Sequence, residues 1–134
     1  MNVIRRFKAG HSYVEFSVSA VPLLLFLFGI INFALAAYAY NFTSYAAREA
    51  TRYAAVRGSS SPAPAAKSDV TNFVLAEAHG LNNSNLKVTT TWSPDNKPGS
   101  VVQVQVQYKF IFNMFLVKLS PVNFTSTSKM VITQ

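Results

Sequence analysis

Cysteine is missing from this sequence of 134 residues, and acidic residues are scarce, with five against twelve Lys and Arg. Without a thiol the chain forms no disulfide and offers no thiolate to a metal ion. The only imidazoles are His11 and His79, and no HExxH, GxSxG or phosphate-loop pattern occurs. The sequence therefore predicts no catalytic residue, no metal site and no cofactor. We expect a protein that is not an enzyme and takes no small-molecule substrate.

Charge is also absent from a long stretch near the N-terminus, because no charged residue lies between Glu15 and Arg48. A helix from Phe16 to Tyr40 would be about 37 Å long, enough to cross a hydrocarbon core of about 30 Å. The basic residues before this stretch favour a cytoplasmic N-terminus, although three more follow it and weaken that preference. They are Arg5, Arg6 and Lys8 before it, and Arg48, Arg52 and Arg57 after it. We expect a single-pass membrane protein whose C-terminal part is exported.

The same stretch permits a second interpretation, a cleavable signal peptide. Residues 34–36 and 37–39, Ala-Leu-Ala and Ala-Tyr-Ala, both fit the small-residue pattern of a signal-peptidase site. Cleavage near Ala36 or Ala39 would release a soluble extracytoplasmic protein. Glu15 argues against it, because it places an acidic residue just before the apolar region.

The net charge of +7 raises the question of nucleic acid. Binding to phosphates needs basic residues gathered into a patch. Here they flank the apolar stretch or are scattered singly along the rest of the chain. We therefore expect the membrane, and not nucleic acid, as a partner.

Two polar residues of the apolar region are candidate functional residues. A carboxylate at the edge of a membrane segment is costly unless water or a positive group is near, which makes Glu15 the first candidate. Asn32 lies near mid-membrane, where a side-chain amide seeks a partner, and it is a candidate for a helix-helix contact. The alternative for Asn32 is a polar residue that the long span simply tolerates.

The apolar helix is predicted to continue beyond the membrane. The stretch from Asn41 to Val56 is rich in alanine and lacks glycine and proline, and Gly58 is a plausible stop. The prediction is one rod from about Ser12 to Arg57. The corresponding divisions are a basic leader at 1–10, a transmembrane helix at 11–40, a helical extension at 41–57, a linker at 58–67 and a small α+β extracytoplasmic domain at 68–134.

The small domain is predicted to contain a short helix and three strands. Apolar residues at helical spacing favour a helix over 69–79, with Ser68 or Asp69 as its N-cap. Alternating apolar residues predict strands over 86–93, 102–112 and 122–133, in an antiparallel meander covered by the outer part of the long helix. The apolar run 111–119 is predicted to be a buried connection, with a partner-binding surface as the alternative. The fold class is α+β.

The N-terminal motif points to a family. The series from Gly10 to Phe16, GHSYVEF, resembles the G-x-x-x-x-E-F processing signal of type IV prepilins. The run VEFSVSAVPLLLFLFGIINFA and the later segment YAAREATRYAA, residues 45–55, are similar to the TadE-like proteins of the tight-adherence (Flp) pilus system.

The resemblance implies a minor pilin or pseudopilin in the inner membrane, with a periplasmic C-terminal domain. Its partners would be other pilin or pilus-assembly proteins and a prepilin peptidase that cuts after Gly10. His11 would become the new N-terminus, and Glu15, followed by Phe16, would act in assembly as the fifth residue of the mature chain. In pilins a carboxylate at that place is thought to pair with the free terminal amine.

Overall fold

The first element is a single long helix. The computed structural model describes residues 4–113 and 119–134, with helix side chains from Tyr13 onward. Helix α1, Ile4–Ala55, has 52 residues and is therefore about 78 Å long. The predicted rod is confirmed, and it continues through Pro22. The helix is already present at Ile4, the first described residue, whereas the sequence predicted a start near Ser12. Residues 1–3 of the predicted leader lie outside the described residues.

Three strands form the predicted antiparallel meander. They are β1, Leu86–Ser93, β2, Val101–Phe110, and β3, Val122–Val131, in the order β1-β2-β3. In this register Tyr108 in the central strand lies between Leu86 and Phe124. Strands β2 and β3 each end two residues before the predicted limit.

One face of the sheet is apolar and covered, as the alternation predicts. Every second residue of β2 is buried, and the intervening positions are mostly glutamine. The buried residues of β2 are Val102, Val104, Val106, Tyr108 and Phe110. The other face carries Thr, Gln and Lys side chains, which suits a sheet with one side in water.

The C-terminal part of α1 covers β2 and β3. We call residues 36–55 the outer half of α1 and residues 13–35 the inner half. The outer half packs through small side chains, since Ala47, Ala50 and Ala54 are completely buried. The buried hydroxyls of Thr43 and Thr51 donate to the carbonyls four residues earlier in the helix, at 2.7 and 2.6 Å, so neither is left unpaired. The predicted cover of the sheet is confirmed.

Helix α2, Lys67–Glu77, packs on β1 beside α1 and completes the covering layer. It begins two residues before the predicted start, because Asp69 is not the N-cap. Instead, its carboxylate accepts a hydrogen bond from the backbone N–H of Ala66 at 2.9 Å, which supports the first turn from inside the helix. Val70 and Val74 are fully buried, as the helical spacing predicts.

The segment between the helices is bound to the domain. Gly58 is buried. The backbone N–H of Ser59 donates to the carbonyl of Asn96 at 2.7 Å, and the backbone N–H of Ala65 donates to the carbonyl of Arg57 at 2.9 Å. After β3, the N–H of Thr133 donates to the carbonyl of Ala55 at 3.0 Å. A carbonyl without an intrahelical partner at the end of α1 is thereby satisfied by the last strand segment.

Candidate functional site

The inner half of α1 leaves large apolar side chains exposed on every side. Phe16, Phe26 and Phe33 are 74%, 68% and 75% exposed, and valine, leucine and isoleucine fill the positions between them. A helix that is hydrophobic all round requires an apolar surrounding, whether lipid or other helices. Within the described part of the chain this is the one helix long and apolar enough to cross a membrane.

The length of the exposed region matches a bilayer. Residues 16–35 rise about 30 Å along the helix, the thickness of a hydrocarbon core. Beyond them, Ala39 is completely buried, and it packs with Tyr108 and Phe110 of the sheet. The change from exposed to buried side chains therefore comes near Leu35.

The predicted processing and assembly residues lie at the far end of this helix. Gly10 and His11 are within α1, and the side chain of His11 lies outside the described part of the structure. Glu15 and Phe16 are exposed on the helix surface. Among the side chains that the structure describes, no basic group lies within ion-pair distance of Glu15.

Asn32 lies at the other end of the inner half and binds the small domain. Its amide N–H donates to the carbonyl of Phe28 at 2.9 Å and to that of Asn113 at 3.3 Å, and its carbonyl oxygen accepts the N–H of Asn113 at 3.2 Å. Asn32 is 8% exposed, so this amide is held within the chain. About 24 Å of helix separates it from Phe16, and the two ends of the predicted site are not brought together.

Sequence reasoning missed Asn113 as the partner of Asn32. The signal was present, because Asn113 is the polar interruption in the apolar run 111–119, as Asn32 is in the apolar helix. Two isolated amides in apolar surroundings are expected to hydrogen-bond to each other. They are 81 residues apart, so the sequence alone does not show that they meet.

Aromatic residues reinforce the same junction. The hydroxyl of Tyr38 donates to the carbonyl of His79 at 2.8 Å, and the ring of Tyr40 meets the ring of Phe124 edge-on, with centroids 5.8 Å apart. The ring centroids of Phe110 and Phe112 are 4.9 Å apart. The Tyr40–Phe124 contact fastens the end of the sheet to α1 just above the exposed region, and the Tyr38 bond fastens the loop after α2 to the same part of the helix.

A groove of about 450 Å³ lies at the junction between α1 and the domain. Its apolar wall includes Ile31 and Leu35 of the helix, and its polar wall includes Asn82 and Asn85 of the loop after α2. The described residues that line the groove carry apolar, amide and phenol groups, so its surface is amphipathic.

The described part of the run 111–119 is not the buried connection that the sequence predicted. Ile111 and Leu119 are 44% and 46% exposed, and only Phe112 is partly covered. Residues 114–118 of the run lie outside the described residues. The buried-connection prediction is therefore wrong at Ile111 and Leu119.

Charged groups contribute little in the remainder of the described structure. Its one ion pair joins Lys97 and Asp95 at 3.6 Å in the β1–β2 turn. A hydrogen bond from the Ser100 hydroxyl, followed by one from the Lys97 backbone, lowers the pKa of Asp95 below its usual value. No group of three or more potential metal ligands occurs among the described residues.

Comparison with known proteins bears directly on the inner half. Residues 10–52 match the family model of the TadE-like proteins. Searches of curated proteins and of solved structures found no match to the chain. The matched residues include the apolar inner half and most of the outer half of α1. The resemblance carried by Gly10, Glu15 and the alanine-rich segment is thus confirmed over residues 10–52, where the chain is similar to the TadE-like proteins.

Proposed function

We propose that this protein is a non-enzymatic, membrane-anchored minor pilin or pseudopilin that acts in tight-adherence pilus assembly. The observation that carries the proposal is the division of α1. Its inner half exposes phenylalanine, leucine and isoleucine on all sides, whereas its outer half is built into the domain. Such a helix places a folded domain at the surface of an apolar phase and leaves its inner half available to lipid or to other pilin helices.

In this proposal the protein is inserted in the inner membrane with its N-terminus in the cytoplasm and its domain in the periplasm. A prepilin peptidase cuts after Gly10, so that His11 provides a free amine. Glu15 then pairs with such an amine on a neighbouring pilin helix. Pairing offsets the cost of placing either charge at the edge of the hydrocarbon, where one unpaired charge is expensive.

The contacts between α1 and the small domain favour this proposal over a cleavable signal peptide. Cleavage near Ala36 or Ala39 would remove Asn32 and its two hydrogen bonds to Asn113. Cleavage after Ala39 would also remove a completely buried residue from the contact with Tyr108.

The N-terminal residue and intact mass of the mature protein test the proposal. A start at His11 is expected, and Gly10→Ala should leave the chain uncut. Gly29→Ala is the matched control, because it changes a glycine of the same helix away from the cleavage point and should leave cleavage normal. A mature protein that begins at Ala37 or Tyr40 would contradict the anchor and support export of a soluble domain.

The role of Glu15 is tested separately. Glu15→Gln removes the charge and keeps the size, so cleavage should proceed while incorporation into pili, or the support of pilus assembly, is lost. Glu49→Gln is the control, since it changes a carboxylate in the outer half of the same helix. Normal piliation with Glu15→Gln would contradict the proposed pairing.

A further inference from the structure

We propose that the two described flanks of the β2–β3 connection form a second membrane-contacting surface, which rests in the outer leaflet of the phospholipid bilayer beside α1. This inference rests on the membrane anchoring given under the proposed function. It concerns the described residues on the two sides of the connection, Ile111–Asn113 and Leu119–Val122. The partner is lipid: hydrocarbon for the apolar side chains and headgroups for the row of polar residues above them.

The hydrogen bonds of Asn32 set the depth of this connection. If the hydrocarbon begins at Phe16, its other boundary lies near Leu35, about 30 Å along the helix. Asn32 is then about 5 Å inside that boundary. Because the Asn32 amide bonds both backbone groups of Asn113 at 3.2 and 3.3 Å, Asn113 is held at the same depth as Asn32.

At Asn113 the same bonds answer the main objection to backbone in lipid. An irregular segment is not tolerated in hydrocarbon when its N–H and C=O groups lack partners. At Asn113, the deepest position fixed by contact with α1, the amide of Asn32 accepts from the N–H and donates to the C=O. A single side chain thereby supplies the pairing that a neighbouring strand would otherwise provide.

The exposed side chains of the connection suit hydrocarbon. Ile111, Leu119 and Val122 are 44%, 46% and 40% exposed. Ile111 lines the same groove as Ile31 and Leu35 of the inner half, which are 46% and 52% exposed. In water these exposed apolar side chains would be unfavourably hydrated. In the bilayer, hydrocarbon would surround them as it surrounds the inner half of α1.

Polarity changes at the height where the headgroups begin. Phe110 pairs with Val122 in the last row of the sheet, and the next row pairs Lys109 with Asn123, about 3.4 Å further from the membrane. Lys109 is exposed and can approach lipid phosphates. Apolar residues below and a basic residue directly above are the order that a bilayer surface requires.

Depth-dependent fluorescence quenching in proteoliposomes tests this inference. The chain has no native cysteine, so each single-cysteine variant takes an environment-sensitive fluorophore at one place only. The test positions are Ile111→Cys and Leu119→Cys. Phe26→Cys reports on the inner half, and Thr127→Cys, on the polar face of the sheet about 17 Å beyond Val122, reports on water. Intact Trp92 fluorescence establishes that each variant is folded.

Nitroxide-labelled phosphatidylcholine should quench the probes at 111 and 119 at least about threefold more strongly than the probe at 127, with iodide showing the reverse order. Quenching by iodide at 111 and 119, while Phe26→Cys is quenched by lipid, would overturn this inference and leave the anchor intact. Protection of both positions from both quenchers would also overturn it and would indicate a protein contact. Absence of lipid quenching at Phe26→Cys would overturn the anchor itself, and with it this inference.

Discussion

Phe26, in the inner half of α1, is 68% exposed, whereas Ala50, in the outer half of the same helix, is completely buried. The inner half has large side chains and no partner layer among the described residues, and the outer half has small side chains under a sheet. Close packing of a helix on a sheet needs small residues and a fixed face, but solvation by lipid needs only apolar ones. The sequence difference between the halves therefore corresponds to two surroundings on one helix.

The largest change in the free energy of unfolding is expected at Gly58, where the chain leaves α1 and enters the rest of the domain. A Cβ atom on Gly58 would fall against the carbonyl of Gln134 and the side chain of Ile132, so Gly58→Ala should destabilise the domain by about 3 kcal/mol. Denaturation of the full chain in detergent, followed by the fluorescence of Trp92, measures this. Gly29→Ala in the inner half is the control, since no atom lies within 4 Å of its Cβ. An unchanged midpoint for Gly58→Ala would show that the close approach is not required.

Enlarging alanine in each half compares the halves directly. Ala50→Leu adds bulk to a fully buried position and should cost about 2 kcal/mol. Ala34→Leu makes the same change at an exposed position of the inner half and should change the free energy of unfolding by less than about 0.5 kcal/mol. Equal costs for the two variants, measured by the same denaturation, would contradict the division of the helix.

Asn32 tests whether the junction is held by its amide. Asn32→Leu replaces the amide by an apolar side chain of similar size. The backbone N–H and C=O groups of Asn113 then lose their partner. The cost should be about 1 kcal/mol, seen as roughly fivefold faster hydrogen exchange of the Asn113 amide. Asn41→Leu, at an exposed position of the outer half, is the matched control. Unchanged exchange at Asn113 would mean that other contacts hold the connection.

Removing the hydroxyl of Tyr38 should give the smallest loss in the free energy of unfolding. Tyr38→Phe removes only the hydrogen bond to the carbonyl of His79, so the expected loss is about 0.5 kcal/mol. Tyr45→Phe removes a hydroxyl from a ring that is 55% exposed and should be neutral. If the two variants have the same denaturation midpoint, the Tyr38 hydrogen bond adds nothing to the junction.

The sequence predicted the elements of this fold well because their signals are local. Hydropathy, the alanine-rich continuation and the alternation around Val104 gave the long helix and the meander. The start of α2 was misplaced by two residues, because an aspartate near a helix start can act as N-cap or from the N3 position, and the choice depends on the backbone. The site was harder to predict from the sequence, because the pairing of Asn32 with Asn113 and the exposure of Ile111 depend on contacts between distant parts of the chain.

The central claim is that the two halves of α1 lie in different surroundings, with the boundary near Leu35. Nitroxide labels at successive positions from 16 to 55, in proteoliposomes, test this through their collisions with oxygen and with a water-soluble nickel chelate. We expect high oxygen accessibility around the whole helix from Phe16 to Leu27, with protection at Asn32, which is buried against Asn113. In the outer half we expect a period of about 3.6 residues, with the chelate reaching Arg48 and Arg52 but not Ala50 or Ala54. Free access of the chelate to positions such as Phe26, or a protected face between Phe16 and Leu27, would contradict the account.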